Sequence, residues 1–445
     1  MDWYAFGLLL YEHLPLYLLI LAGALLLYYF IFKTTYLSLL DPLIFNLLYS
    51  VFGFSVVIFL YATQSMDIKY LYSYLLTQLA FFGGLFCFAP LNTRQLVDLD
   101  SGNAVFEEEG MFVKILFFIT SGSYVLIQLL SYKLVGIPLF MESRTGAYAD
   151  SGGLGILGRI IDVLRPVVIF LLIYLLFKKS NSLKLNFYLA GFGLFLLTSL
   201  ILSGSKSLFM NIGFVLFIYL ILNAGKHSGS FFNLRKYERY LIICGLLLAF
   251  LTIFIQSQQN NPGEQNSLGI FLYRLVASGD TYYFSYPSHN IETIDGSKGF
   301  LALFGDIFSV LRIVPRENQP GVLGVQLFQL YSDSDLITGP NARHNVFGYV
   351  YYGFYGSIVF SFLIGWSLSF ARNKLLFVLK RNIIGQLAFL FLYLNLTFIE
   401  TDPPVAVSGL ENALLIFPVF LVIALLLYVP LFDFKSRFFS LKILK

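Results

Sequence analysis

The most distinctive chemistry in the chain lies in Gly339-Pro340-Asn341-Ala342-Arg343-His344-Asn345. A Gly-Pro turn is followed by four polar side chains. An apolar run then begins, Val346-Phe347-Gly348-Tyr349-Val350-Tyr351-Tyr352-Gly353. This order predicts a helix mouth, where free N–H groups and the helix dipole attract anions. Arg343 offers a planar fork that binds phosphate bidentately and stays charged. His344 is the residue type that moves a proton near neutral pH. The simpler alternative is an N-cap with an arginine reaching toward the interface.

Other segments carry related chemistry. Tyr273-Arg274-Leu275 precedes Ser278-Gly279-Asp280-Thr281-Tyr282-Tyr283. Arg274 and Asp280 are too far apart for an i, i+4 pair, so neither obviously neutralises the other. Tyrosines beside charges, among them Tyr282 and Tyr351, suit sugar rings; belts of interfacial tyrosine are the competing explanation. Gly136-Ile137-Pro138-Leu139 followed by Ser143-Arg144 brings a cation close to the end of a span. Ser203-Gly204-Ser205-Lys206-Ser207 joins two apolar runs by a tight turn whose lysine and serines can donate to an oxyanion. Asn341 adds a carboxamide beside Arg343. Asp280, His289 and Glu264 are rivals to His344 as a base. Asp333-Ser334-Asp335 is a chance-level spacing, and no His or Cys pattern predicts a metal.

The elements that must position these residues follow from composition. Of 445 residues, 58% are hydrophobic, 18% aromatic and 12% charged, with mean hydropathy +0.77. A soluble domain carries about 25% charged residues. A soluble enzyme, a disordered chain and a fibrous repeat are therefore excluded. The net charge of +4 is too small to predict a nucleic-acid partner. Cys87 and Cys244 both lie in apolar runs, so a disulfide framework is not expected. The expected fold is an all-α polytopic membrane protein with about eleven spans of roughly 20 residues. They are 14–32, 42–62, 69–91, 111–132, 161–177, 185–203, 207–223, 240–256, 345–371, 382–399 and 412–431. The chain reads as a single transmembrane domain, 1–445, with no separate soluble domain.

Positive charge sets the orientation. Lys33, Arg94, Lys178, Lys179, Lys184, the 226–239 run, the Arg372, Lys374, Lys380 and Arg381 cluster and the basic tail fall on the inside. Two loops are left outside, 133–160 and 257–343. Arginine outnumbers lysine on that side, with Arg144, Arg159, Arg274, Arg312, Arg316 and Arg343 in the loops and Arg165 just inside the span that follows the first. A phosphate-bearing ligand explains that bias; pairing with Glu142, Asp150, Asp162, Asp280 and neighbours explains any single arginine equally well. Residues 300–311 carry an apolar stripe at helical spacing, expected to lie along the membrane surface or to cap the bundle.

Three segments together resemble a known family. They are Gly136-Ile137-Pro138-Leu139 with Arg144, then Ser203-Gly204-Ser205-Lys206, then Asn341-Ala342-Arg343-His344-Asn345 running into Tyr351-Tyr352-Gly353-Phe354-Tyr355-Gly356. They resemble the O-antigen polymerases, the Wzy-type oligosaccharide repeat-unit polymerases. The plan of many spans with one moderate and one large external loop is similar too. The resemblance implies a GT-C-like, metal-independent membrane glycosyltransferase in a bacterial inner membrane, with its active site on the periplasmic face. It implies no cofactor. The implied substrate is an oligosaccharide on undecaprenyl pyrophosphate, with membrane lipid and a chain-length regulator protein as further partners. The implied roles are Arg343, Arg274 and His344 as catalytic residues. Arg144, Lys206, Asp280, Tyr282, Asn341 and Tyr351 would bind substrate. The related O-antigen ligase and a non-enzymatic lipid-oligosaccharide flippase remain alternatives; spans nearly free of charge argue against the flippase.

Overall fold

The computed structural model describes residues 1–92, 95–96, 109–141, 154–178, 182–205, 207–224, 240, 243, 247, 279–331, 338–379 and 382–443. Among these residues there are helices and turns but no strand. In chain order the helices are α1 (Trp3–Glu12), α2 (Leu14–Phe32), α3 (Pro42–Ala62), α4 (Ile68–Leu85), α5 (Glu109–Leu134), α6 (Gly155–Phe177) and α7 (Leu183–Leu202). They continue as α8 (Ser207–Leu222), α9 (Asp280–Ser285), α10 (Gly299–Val310), α11 (Leu323–Gln329), α12 (His344–Ser369), α13 (Ile383–Thr397) and α14 (Pro403–Ile443).

The all-α membrane class holds. Seven stretches are long and apolar enough to cross a membrane: Leu14–Phe32, Pro42–Ala62, Gly110–Phe140, Gly155–Phe177, Leu183–Leu202, His344–Val378 and Pro403–Pro430. Each overlaps an expected span, several of them reaching six to nine residues further at one end. The expected spans at 207–223 and 382–399 form the shorter helices α8 and α13. The span expected at 69–91 forms α4, outside those seven stretches. Most of 240–256 lies outside the described residues.

Local chemistry starts these helices where they start. Asp41 accepts a hydrogen bond from Leu43 N–H, and Pro42 occupies the first turn of α3, where its missing N–H has no partner to lose. Asp2 caps α1 and Ser182 caps α7 in the same way.

The chain packs as two compact units. One holds Met1–Leu96, Phe232–Val378 and Leu392–Ser408. Its core joins Phe6, Tyr17, Val56, Phe59, Tyr70, Tyr74, Tyr282, Tyr283, Val346 and Phe347. Phe6 stacks on Tyr283 with centroids 4.2 Å apart, pinning α1 to α9. Large apolar side chains on α2, such as Leu19 and Phe30, stay exposed, as on a helix with one face toward lipid. The other unit holds Val97–Phe231, Leu379–Phe391 and Gly409–Lys445. There Tyr124 of α5 and Ser199 of α7 share a hydrogen bond of 2.9 Å, and Arg159 of α6 donates to Asn412 at 2.9 Å.

The run expected as one span at 345–371 is not straight. Gly353 has φ 70° and ψ −176°, a conformation that is essentially glycine-only. The chain reverses there. Arm α12a covers 344–352 and arm α12b covers 354–369. His344 Nδ1 lies 2.9 Å from Ser361 Oγ, and Phe347 stacks on Phe360 at 5.5 Å. In a straight helix, residues 344 and 361 would stand roughly 25 Å apart at 1.5 Å per residue. Arm α12b then crosses α4 at close range. A Cβ on Gly84 would meet the Phe362 carbonyl, and one on Gly365 the Phe81 carbonyl. Small residues at such crossings let backbones touch.

Arg372, expected to flank the membrane among inside cations, is instead fully buried. It sits in a π-helical turn, Phe370–Leu375, just beyond α12b. Its Nη2 lies 2.5 Å from Asp41 Oδ2, and it also donates to the Thr35 carbonyl at 3.0 Å. Tyr393 donates to Asp41 Oδ1 at 2.6 Å. The charge is matched by a carboxylate and the remaining donors find acceptors, which is what a buried ion requires.

Candidate functional site

The reversal at Gly353 decides where the polar segment lies. The helix mouth was expected at the outer surface. Instead, arm α12a runs back along α12b, and its N-terminus sits level with the middle of α3 and α4. Asn345 donates to Thr77 Oγ1 of α4 at 2.8 Å and accepts from the Tyr282 hydroxyl at 2.8 Å. Arg343 Nη2 donates to the Tyr49 carbonyl of α3 at 3.2 Å. A hydrogen-bond chain continues from Gln78 to Ser50 at 2.9 Å and from Ser50 to Tyr28 at 3.2 Å. These bonds tie α2, α3, α4, α9 and α12a together around one point.

Residues 398–402, between α13 and α14, arrive at the same point. The Arg343 N–H donates to the Thr401 carbonyl at 2.9 Å, and the His344 N–H to the Glu400 carbonyl at 3.1 Å. The Ala342 N–H donates to Asp402 Oδ2 at 3.5 Å. Asp402 also caps α14, accepting from Val405 N–H at 3.3 Å. The first N–H groups of the helix mouth are thus already spoken for by the protein's own carbonyls. Irregular backbone at this depth is tolerated because protein, not lipid, surrounds and satisfies it.

Arg343 is the cation at the centre. It is 1% exposed, with Nη1 3.5 Å from Glu400 Oε1. Its guanidinium carbon lies 5.9 Å from the Tyr49 ring centroid. Its backbone has φ 29°, a strained value for a residue with a side chain. Strain of this kind persists only where the surroundings over-determine it, and such residues cluster at functional sites. Three carboxyls share the neighbourhood. Burial raises Glu400 to about 7, opposed by Arg343. Burial likewise raises Asp280 to about 7 and Asp402 to about 6. One buried guanidinium compensates one carboxylate, so the others hold their protons longer than they would in water.

His344 is fully buried, stacked on Phe81 at 5.0 Å. Nδ1 meets Ser361, and Nε2 has no partner among the described residues. Which ring nitrogen carries the proton depends on whether Nδ1 or the Ser361 hydroxyl donates in that contact.

Of the residues singled out by sequence, Arg343, His344, Asp280 and Tyr282 come together here, while Asn341 is exposed and reaches the cluster only through its backbone. The Asn341 carbonyl accepts from the Thr281 hydroxyl, and Arg343 lies within electrostatic reach of Asp280. Tyr282 is 2% exposed and serves as a packing and hydrogen-bonding post for Asn345. Tyr351 lies apart, near the Gly353 end of α12a, with residues 296–299 packed over it. His289 is also apart: its Nδ1 meets the Tyr70 hydroxyl at 2.8 Å, and Nε2 lies 3.5 Å from Asp67. Arg274, Arg144, Lys206 and Glu264 lie outside the described residues. Glu400 and Asp402 were missed. Their signal was Phe398-Ile399-Glu400-Thr401-Asp402-Pro403-Pro404: two carboxylates and a helix-starting Asp-Pro-Pro wedged between apolar runs, with no cation nearby in sequence.

Among the described residues no group of three His, Cys, Asp or Glu side chains is arranged to hold a metal ion. The arrangement is a buried guanidinium with a carboxylate counter-ion beside a buried imidazole. It is suited to holding an anion and moving a proton next to it. Comparison of the chain with family models, with curated proteins and with solved structures gave no match.

Proposed function

We propose that this membrane protein polymerises lipid-linked oligosaccharide repeat units. The glycan on undecaprenyl pyrophosphate would pass to the non-reducing end of another lipid-linked repeat unit, building O-antigen or a related surface polysaccharide. The observation that supports this reading is the pairing of buried Arg343 with Glu400 beside His344, where α12a begins and α13 gives way to α14. Transfer at an anomeric carbon needs a counter-charge for the departing diphosphate and a base for the attacking hydroxyl. Arg343 supplies the first. His344, whose Nδ1 rests against Ser361, is proposed for the second. Asn345, Thr77 and Tyr282 hold the mouth of the helix in place. Arg274 is proposed to hold the diphosphate with Arg343, and Arg144 and Lys206 are second choices for that role.

The test is genetic and chemical. A strain lacking the protein accumulates surface glycan one repeat unit long if the protein is the polymerase. Loss of all surface polysaccharide points to the ligase instead, and unchanged glycan length contradicts both.

A second reading has a specific observation in its favour. Secondary transporters gather the ends of broken helices and their charges midway along the bundle. Arg343, Glu400 and Asp280 are charged groups at helix ends, outside the expected spans, gathered beside the middle of α3 and α4. A lipid-oligosaccharide flippase would move its substrate across vesicles without lengthening it.

A further inference from the structure

Glu400 occupies the place an anion would take. Its carboxylate is the counter-ion of Arg343 at 3.5 Å, and both side chains are 2% exposed. The segment that carries it is tied to the helix mouth by the Thr401 and Glu400 carbonyls and by Asp402. With its backbone held there, Glu400 stays buried when another anion takes its partner. A buried carboxylate that has lost its cation is costly, and the cheaper course is to become neutral.

We infer that an incoming diphosphate displaces Glu400 from Arg343 and that Glu400 takes up one proton from solvent as it lets go, so that anion and proton bind together. This deepens the reading of Arg343 as the diphosphate-binding cation and rests on it. The exchange balances. Before binding, Arg343 is paired with ionised Glu400. Afterwards, Arg343 is paired with a ligand oxyanion and Glu400 is a neutral acid. No covalent bond other than the new O–H forms.

The groups facing Glu400 make this the favoured path. From 341–345 come Arg343 and His344. From α9 comes Tyr282, from α2 Tyr28, from α3 Ser50 and from α4 Tyr74, while the carboxyls of Asp280 and Asp402 lie within electrostatic reach of the same Arg343. Arg343 is the cation in this set. The acids and phenols add no positive charge, so none replaces the lost partner. Burial already raises Glu400 to about 7 even with Arg343 beside it, so removing that partner pushes it further up.

The experiment uses the full chain in lipid nanodiscs and farnesyl pyrophosphate as the probe. Binding heat is measured at pH 8 in two buffers of different ionisation enthalpy. The expected result is uptake of about one proton per ligand bound, with affinity falling about tenfold per pH unit between roughly pH 7.5 and 9. Glu400→Gln abolishes the uptake, flattens the pH dependence and binds at least about tenfold tighter at high pH. Arg343-dependent binding with no proton uptake in the wild-type protein overturns the inference and leaves the diphosphate reading standing. Binding that Arg343→Ala leaves unchanged, or no binding at all, overturns that reading and the inference with it. The wild-type calorimetry decides the matter even if the glutamine variant fails to fold.

Discussion

His344 Nδ1 and Ser361 Oγ lie 2.9 Å apart although seventeen positions separate them in the chain. The contact exists because Gly353 turns the helix back on itself. It places Arg343 midway along α3 and α4 rather than at a surface. The charged cluster follows from that fold.

Gly353 is therefore the hinge of the site. An added Cβ there meets nothing within 4 Å, so the penalty is conformational rather than steric. Gly353→Ala is expected to destabilise the protein by about 1–3 kcal/mol, as a side chain in that backbone region does. Gly23→Ala, also open but at an ordinary helical position in α2, is the control and should change little. Thermal unfolding in detergent measures both; equal melting temperatures would refute the hinge.

The crossing of α4 and α12b carries a second expectation. Alanine at Gly84 or Gly365 drives a Cβ into facing backbone carbonyls. Overpacking of this kind costs about 1–3 kcal/mol. The same unfolding measurement should show each variant below wild type.

Arg372 and Asp41 form a buried pair with defined hydrogen bonds. Arg372→Met alone strands a buried carboxylate and should cost about 3–5 kcal/mol. Combining it with Asp41→Leu should cost less than the sum of the single changes, by about 0.5–3 kcal/mol. Simple additivity in a double-mutant cycle would show that the pair is not coupled.

Much of the fold is legible in the sequence because caps and apolar runs are local signals. Asp41-Pro42 marks the start of α3, and the run at 42–62 ends where the helix does. The reversal in α12 is not legible. Its apolar run is continuous through 345–371, and Gly353 is one of several glycines there, each tolerated in an ordinary span. Arg343 and His344 stand out by type and spacing. Glu400 does not, because its partner is remote in sequence and only the turn at 398–402 brings them together. Arg372 misleads for the same reason: next to Lys374 and Lys380 it looks like a flanking cation, and only its contact with Asp41 shows otherwise.

Asp280 gives a pH signature. Burial raises its carboxyl from 3.8 to about 7, so the folded protein keeps a proton that the unfolded chain releases near pH 4. Unfolding between pH 4 and 7 then releases that proton, and stability from this group falls as pH rises through the window. Asp280→Asn holds no titrating proton and should flatten the fall. Melting temperatures recorded from about pH 5 to 7.5 check this; an unaltered slope in the variant would remove Asp280 from the account.

Arg343 is proposed to hold the leaving diphosphate during glycan transfer. The direct measurement is polymerisation by the purified, reconstituted protein on lipid-linked repeat units in EDTA. Wild-type protein should lengthen the glycan without divalent metal. Arg343→Ala should lower the rate by about 10²–10³, the usual loss when one preorganised donor to developing charge is removed, and Arg343→Lys should recover part of it. Full rate and full chain length from Arg343→Ala, or lengthening that requires a divalent metal, would rule out that role for Arg343.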